Sequence, residues 1–257
     1  MAKKIKLAII GCGAIGKYVY DYASKRMKAE YDVVRVLDKN ARAIFGIGNI
    51  TDDFDEFMRG LDADIVLECA SHAAVRDYAE RVLESGKDLI VMSTGAFLLY
   101  DRLLQRLEKI AKEKNIKIYV PAGAFGGIDA LAAAAVGKIN RVRLETEKPK
   151  GSLKPASGGK PHQLKSATAL EAVREYPRNV NIAATIAIAG AGKERKFVNV
   201  IPKNNGMNTH RLEVDGEFGD FVFRISSKPS ENASTSAIAA MSAVACLKKI
   251  ASPLQIG

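Results

Sequence analysis

The first 121 positions alternate between two hydrophobic patterns. Short continuous apolar runs, Lys6–Ile10, Asp32–Leu37 (DVVRVL), Asp64–Glu68 (DIVLE), Asp88–Met92 (DLIVM) and Ile116–Val120 (IKIYV), read as strands. Between them lie stretches with apolar residues spaced near 3.6 positions. Gly16 to about Lys28 carries Ile15, Val19, Tyr22 and Ala23 on one face, and His72–Ser85 and Tyr100–Lys114 behave alike. Ile50–Met58 is a short amphipathic segment. Strands alternating with helices predict parallel strands joined by crossovers, and runs without polar alternation predict a sheet covered on both faces.

After Pro121 the rhythm changes. Ile128–Val136 reads as an Ala-rich helix, Lys138–Glu147 alternates at period two, and 148–165 (KPKGSLKPASGGKPHQLK) reads as a mobile surface loop or flap. Helices are predicted over Ala167–Glu175 and Asn179–Ala191, and strands over Lys196–Ile201, His210–Val214 and Asp220–Ile225. The stretch VDGEFGD supplies a turn between the last two strands, and a closing helix covers Asn232–Ile250. The fold class is therefore α/β: a parallel-sheet domain over 1–123, a smaller α+β domain over 124–231, and a C-terminal helix within 232–257 that packs back near the first domain.

Composition narrows the choice. No run of about 18 apolar residues occurs, so no membrane span and no membrane partner are expected. The basic and apolar start, MAKKIKLAIIGCG, breaks too early into glycines for a signal peptide and reads as a first strand, with a cytoplasmic location as the default. Cys12, Cys69 and Cys246 form neither a disulfide framework nor a zinc pattern, and no metal is expected. The net charge of +10 is spread among acids, as in DRLLQRLEKIAKEKNIK, which favours small anionic ligands over nucleic acid.

The glycines of GCGAIG stand between a strand and a helix, and that context gives them meaning. Gly11 permits the tight turn, Gly13 leaves room for a pyrophosphate, and Gly16 lets the helix lie close to the sheet. The helix N-terminus offers N–H groups and partial positive charge to phosphates. Asp38, ending the second strand, suits ribose hydroxyls. The predicted cofactor contacts are Gly11, Cys12, Gly13, Ala14, Ile15 and Gly16 of the turn, Asp38 and Lys39, and Ala70, Ser71 and His72 after the third strand. Asp38 favours NAD, while Lys39 and Arg42 would tolerate the extra phosphate of NADP. His72 either caps a helix or lines the nicotinamide side.

Among polar residues beyond the first domain, His210 in NNGMNTHRLEVDG is the strongest candidate for proton chemistry. It begins a strand after an Asn-rich loop, from which it could face the cofactor. His162 falls in the 148–165 stretch and reads as solvated. Thr235 and Ser236, at the start of the last helix, and Lys148, at the end of a strand and before Pro149, are candidates for holding carboxylates, with a plain helix cap and a lone surface lysine as the structural alternatives.

Six blocks carry a likeness to a known family. GCGAIG, ECASHAAVRDYAERVLESGKDLIVMSTGAF, PAGAFGGIDAL, EYPRNVNIAAT, NTHRLEVDGEFGDFVF and ENASTSAIAAMSA together resemble the L-aspartate dehydrogenase family. That resemblance implies a Rossmann domain followed by a substrate-binding and dimerisation domain, arranged as in dihydrodipicolinate reductase, and a homodimer. It implies oxidation of L-aspartate to iminoaspartate with NAD or NADP, the imine then giving oxaloacetate and ammonia or feeding quinolinate synthesis. Mapped by motif, the catalytic histidine falls on His210 and cofactor contacts fall on Ala124 and on Asn179 or Asn181. This chain departs from the family pattern at His72, where proline is expected, in the long basic 148–165 stretch, and at Asn204-Asn205. Two alternatives compete: a related reductase, whose His-His and Lys signature is missing, and an NADH-binding redox sensor without turnover. A phosphorylating aldehyde dehydrogenase would need a nucleophilic cysteine that neither Cys69 nor Ser93-Thr94 supplies.

Overall fold

The computed structural model describes residues 3–41, 46–204, 206–229 and 236–255. Arg42, Asn205 and Thr235 lie outside the described residues. The chain divides into two compact units: Met1–Ala96, Tyr100–Pro121 and Ala240–Ile256 form the first, and Phe97–Leu99 and Ala122–Ala239 the second.

In the first unit, β1 (Ile5–Ile10), β2 (Tyr31–Leu37), β3 (Ile50–Thr51), β4 (Ile65–Glu68), β5 (Asp88–Val91) and β6 (Ile118–Tyr119) form one sheet in the order β3-β2-β1-β4-β5-β6. All its neighbouring strands pair in parallel among the described residues. The connecting helices are α1 (Ala14–Arg26), α2 (Phe54–Met58), α3 (His72–Glu84) and α5 (Leu103–Lys114); α4 (Ala96–Leu99), whose Phe97–Leu99 belong to the second unit, precedes α5 in the chain. Strand order reverses between β1 and β4, and such a switch point opens a crevice at the carboxyl ends of the strands.

Local chemistry explains several boundaries. The segment 50–58 splits because Asp53 caps α2, accepting from Glu56 N. The helix expected from Tyr100 starts at Leu103, since Arg102 takes a left-handed conformation with φ 51°. Leu7, Ile9, Val36, Ile65 and Leu67 build the core together with Ala243, Val244 and Leu247 of the closing helix α9 (Ala237–Ala251). Tyr31 Oη, in β2, donates to Leu247 O at 2.8 Å. Among the described residues, no helix is long and apolar enough to cross a membrane.

In the second unit, α6 (Ile128–Ala134) leads into β7 (Ile139–Pro149), then β8 (Leu164–Thr168), α7 (Ala169–Glu175), α8 (Asn181–Ile186), β9 (Lys196–Lys203), β10 (Asn208–Gly216) and β11 (Gly219–Ser227). Its sheet runs β11-β10-β7-β9-β8, antiparallel except for the parallel pair β7 and β9. Helices α7 and α8 cover one face with Ala172, Val173, Ile182, Ala183 and Ile186, and Leu144, Val198 and Leu212 meet them from the sheet. The helix expected over 179–191 begins at Asn181 and gives way to a π-turn over Ala187–Ala191. Gly190 there leaves room for Ala135, whose Cβ would lie 2.6 Å from an added methyl.

The 148–165 stretch differs from the expected mobile loop. Lys148 and Pro149 belong to β7, Lys150–Ser152 form a 3₁₀ turn, and Ser152 and Leu153 are buried. Ala156 N donates to Glu175 O, and His162 N donates to Tyr176 Oη at 2.9 Å. β8 was hidden in the sequence because its five residues, LKSAT, continue a polar stretch. α7 begins there with a capping box, Thr168 and Glu171 exchanging hydrogen bonds with each other's backbone.

If α9 completes the first core, Leu247→Ala lowers unfolding stability by about 2–5 kcal/mol. Tyr31→Phe costs about 1 kcal/mol. Urea titration followed by circular dichroism measures both.

Candidate active site

The carboxyl ends of β1, β2 and β4 converge on the glycine turn. Gly11 has φ +97°, and a Cβ there would lie 2.7 Å from the Ala70 backbone. A Cβ on Gly16 would lie 1.9 Å from Gly11 O, so α1 is seated directly on the turn. Gly13 differs, with nothing within 4 Å of the place a Cβ would take. It is also the N-cap of α1 and provides no side-chain cap, which leaves first-turn N–H groups for a ligand. Two glycines therefore serve packing, and the third keeps an approach to the helix end open.

Asp38 reaches this turn. Its Oδ2 accepts from Cys12 N at 2.6 Å and its Oδ1 from Asn40 N at 2.8 Å. Each oxygen retains a lone pair for a ribose hydroxyl. Lys39 is exposed beside it. On the β4 side, Ala70 packs on Gly11, and Ser71 caps α3 by accepting from Ala74 N at 3.1 Å. The cap is thus Ser71, and His72 is the first helical residue. Cys12, Ala14 and Ile15 complete the turn.

Glu68, at the end of β4, had no sequence signal. Its Oε1 accepts from Ala70 N at 2.9 Å, Ser71 N at 3.0 Å and Ser93 Oγ at 2.9 Å, and its Oε2 from Ser93 N at 3.1 Å. One buried carboxylate thus ties the loops after β4 and β5 together. Burial raises its pKa to about 7 against these hydrogen bonds.

The second cluster lies at one end of the second unit's sheet. Inward-facing residues on β7 run Val142, Leu144, Thr146, Lys148, and those on β10 run Val214, Leu212, His210, Asn208. Leu144 pairs with Leu212 and Thr146 with His210, so both strands turn polar at the same level. Thr146, His210 and Asn208 are at most 1 % exposed and Lys148 is 4 % exposed. His210 Nδ1 lies 3.1 Å from Thr146 Oγ1, and its Nε2 is buried without a hydrogen-bond partner among the described residues.

Burial, with the Lys148 charge adding to it, pushes the His210 pKa down to about 3, well below the ordinary imidazole value. Burial lowers Lys148 to about 8. Lys148 is therefore no lone surface lysine.

The flanking residues separate by role. Asn179 Nδ2 donates to Ser152 O at 2.9 Å and its Oδ1 accepts from Lys154 N at 3.3 Å, clamping the chain that leaves Lys148. Asn181 opens α8, and its carbonyl accepts from Thr185 Oγ1 at 3.2 Å. Ser236 is buried, its hydroxyl 2.8 Å from Ser227 Oγ, and Ser227 pairs with Asn208 across the sheet. Ala124 lies in the loop before α6.

Comparison with known proteins gives this geometry a family. The L-aspartate dehydrogenase of Methanosarcina barkeri is 36% identical over 275 residues, covering 98% of this chain and 99% of that one. This chain belongs to the L-aspartate dehydrogenase family. Two family profiles divide this aspartate dehydrogenase relative: "Homoserine dehydrogenase, NAD binding domain" matches residues 11–121, and "Aspartate dehydrogenase, C-terminal" matches 129–250. The crystal structure of aspartate dehydrogenase from Thermotoga maritima superposes with a TM-score of 0.77 at 26% identity, covering 99% of this chain and all of that one. Dihydrodipicolinate reductase from Paenisporosarcina sp. TG-14 shares the fold, with a TM-score of 0.59 at 14% identity over 96% of this chain and 95% of that one.

The turn predicts a split between two glycine substitutions. In this family member, Gly13→Ala leaves the melting temperature unchanged but weakens NADH binding about tenfold or more, read by fluorescence titration. Gly16→Ala lowers the melting temperature itself. Equal NADH affinity in Gly13→Ala and wild type refutes the assignment of that space to the cofactor.

Proposed function

We propose that this protein catalyses the reversible oxidation of L-aspartate with NAD, or with NADP, to iminoaspartate, which water converts to oxaloacetate and ammonia. The observation that carries the reading is a buried imidazole nitrogen without a hydrogen-bond partner among the described residues, on the strand next to a buried lysine, in a chain of this family. The first unit's glycine turn, the uncapped α1 and Asp38 fit a dinucleotide. When bound, its nicotinamide takes the hydride that leaves the substrate's α-carbon, or returns it in the reverse direction.

His210 supplies the proton chemistry. An ammonium has no lone pair to push, so the amine must lose a proton before the α-carbon gives up hydride. For Nε2 to accept that proton, Nδ1 must carry the ring hydrogen and donate it to Thr146 Oγ1. At about 3 the ring is a weak base, but carboxylates seated beside it offset the Lys148 charge and raise its pKa. Once that proton has passed to solvent, the same nitrogen, neutral again, deprotonates the water that attacks the imine.

Lys148 holds the side-chain carboxylate, and Ser236, with Thr235, holds the other. Because the Asn179 amide is bonded at both ends to the 152–154 segment, Asn181 is the better cofactor contact of the two, alongside Ala124. A homodimer and a cytoplasmic location complete the reading and rest on the resemblance and on composition.

His210→Ala lowers turnover by about 10²–10⁴-fold with NADH binding retained. A panel of amino acids followed at the NADH absorbance band shows L-aspartate well ahead of glutamate, alanine and homoserine. No preference for aspartate refutes the substrate, and unchanged turnover in His210→Ala refutes the base.

Succinate, an unreactive dicarboxylate, tests Lys148. The lysine is cationic below its pKa of about 8 and neutral above it. Competitive inhibition by succinate therefore weakens as pH rises above about 8, by up to about tenfold per pH unit. In Lys148→Met that pH dependence disappears.

A further inference from the structure

Asn208 is the residue at this site that neither motif nor spacing marks. It is fully buried, and both its Oδ1 and its Nδ2 lack hydrogen-bond partners among the described residues. Other asparagines in the same unit behave differently. Asn179 is bonded at both ends, and Asn199 donates from Nδ2 to Leu144 O and accepts at Oδ1 from Ser166 N. A structural amide in this fold thus finds backbone partners, as buried polar groups generally do.

Asn208 shares the inward face of β10 with His210, two residues on, whose Nε2 is the neighbouring unpartnered atom. The β7–β10 register runs from Val142–Val214 to Glu147–Thr209, and one step beyond it Asn208 stands level with Lys148. A buried donor, a buried acceptor and an open imidazole nitrogen therefore line one end of a sheet beside an ammonium. An occupant must offer an acceptor and a donor together, and a negative charge on it is favoured near Lys148. An α-amino acid with a second carboxylate meets all three demands, its carboxylate accepting from Nδ2 and its amino group donating to Oδ1.

We infer that Asn208 is a direct ligand of the substrate's amino-acid head, gripping amine and carboxylate at once; this rests on the reading of the site as that of an L-aspartate dehydrogenase. The contact orients the amine towards His210 Nε2. It also separates aspartate from dicarboxylates without an amine, which engage the donor end alone.

Asn208→Ser and Asn208→Leu test the inference. In Asn208→Ser the KM for L-aspartate rises about 30-fold or more, while the NADH dissociation constant stays within about twofold of wild type. Succinate inhibition weakens less than aspartate binding does. Asn208→Leu, which removes the orphaned amide without leaving a void, melts no lower than wild type without ligand. It melts about 2–4 °C higher where the cost of burying the amide is fully relieved.

A KM within about threefold of wild type in both variants overturns the proposal. So does a fall in both melting temperatures with KM and NADH affinity shifting together, the signature of a structural amide. Equal losses for aspartate and succinate overturn the contact to the amine. Absence of aspartate turnover in the wild type refutes the reaction instead, and succinate titration, by calorimetry, of wild type and Asn208→Ser still reports whether Asn208 grips a carboxylate.

Discussion

The expense of removing charge from water governs the second unit's site. Lys148 and His210 sit on adjacent strands with almost no exposure, and both lean towards their neutral forms for that reason. A hydrophobic pair at Thr146 and His210, continuing Leu144 and Leu212, would have made a simpler core. Retention of four polar groups there is a departure from local packing logic, and such departures concentrate at functional sites.

The same tension appears in the first unit in milder form. Glu68 is fully covered, yet four donors converge on it. Those donors belong to the loops that follow β4 and β5, where the switch point of a parallel sheet offers its ligand crevice. Backbone N–H groups that would otherwise need water are thereby fixed in direction. The glycine turn meets the problem from the other side: it keeps bulk away from α1 and lets the unsatisfied helix end remain available.

Much of this was legible in the sequence because it is local. The GCGAIG turn, Asp38 and the strand–helix alternation lie within short windows whose spacing carries the physics. The C-terminal block around His210 was legible by resemblance to a family. What stayed hidden depends on pairing between distant residues. Lys148 reads as a surface lysine at the end of a strand because Pro, Lys, Gly and Ser follow it, and only the pairing of β7 with β9 and β10 draws it inward. Asn208 reads as one more polar residue after NNGM until its register on β10 puts it on the buried face. Glu68 ends an apolar strand, where a carboxylate reads as exposed, and its partner Ser93 lies 25 residues away. The two asparagines of RNVN share a motif and part only when the 152–154 backbone closes on Asn179.

Charge neutrality in a dry pocket ties these features to the proposed reaction. In the proposed complex, L-aspartate with a charged amine would carry a net single negative charge, which a cationic Lys148 would balance while His210 is neutral. Passing the amine proton to His210 moves charge within the pocket and changes no total, so the step avoids the penalty of creating a buried net charge. Oxaloacetate carries two negative charges and no amine, and neutrality then requires both Lys148 and a protonated His210. On the proposed reading, the substrate and side-chain charges alone would favour a cationic imidazole with the keto acid bound and a neutral one with the amino acid bound. Those are the protonation states needed, respectively, to donate a proton to the incoming ammonia adduct and to take one from the departing amine. On that reading one buried arrangement would serve both directions, with the substrate's own charge setting the base.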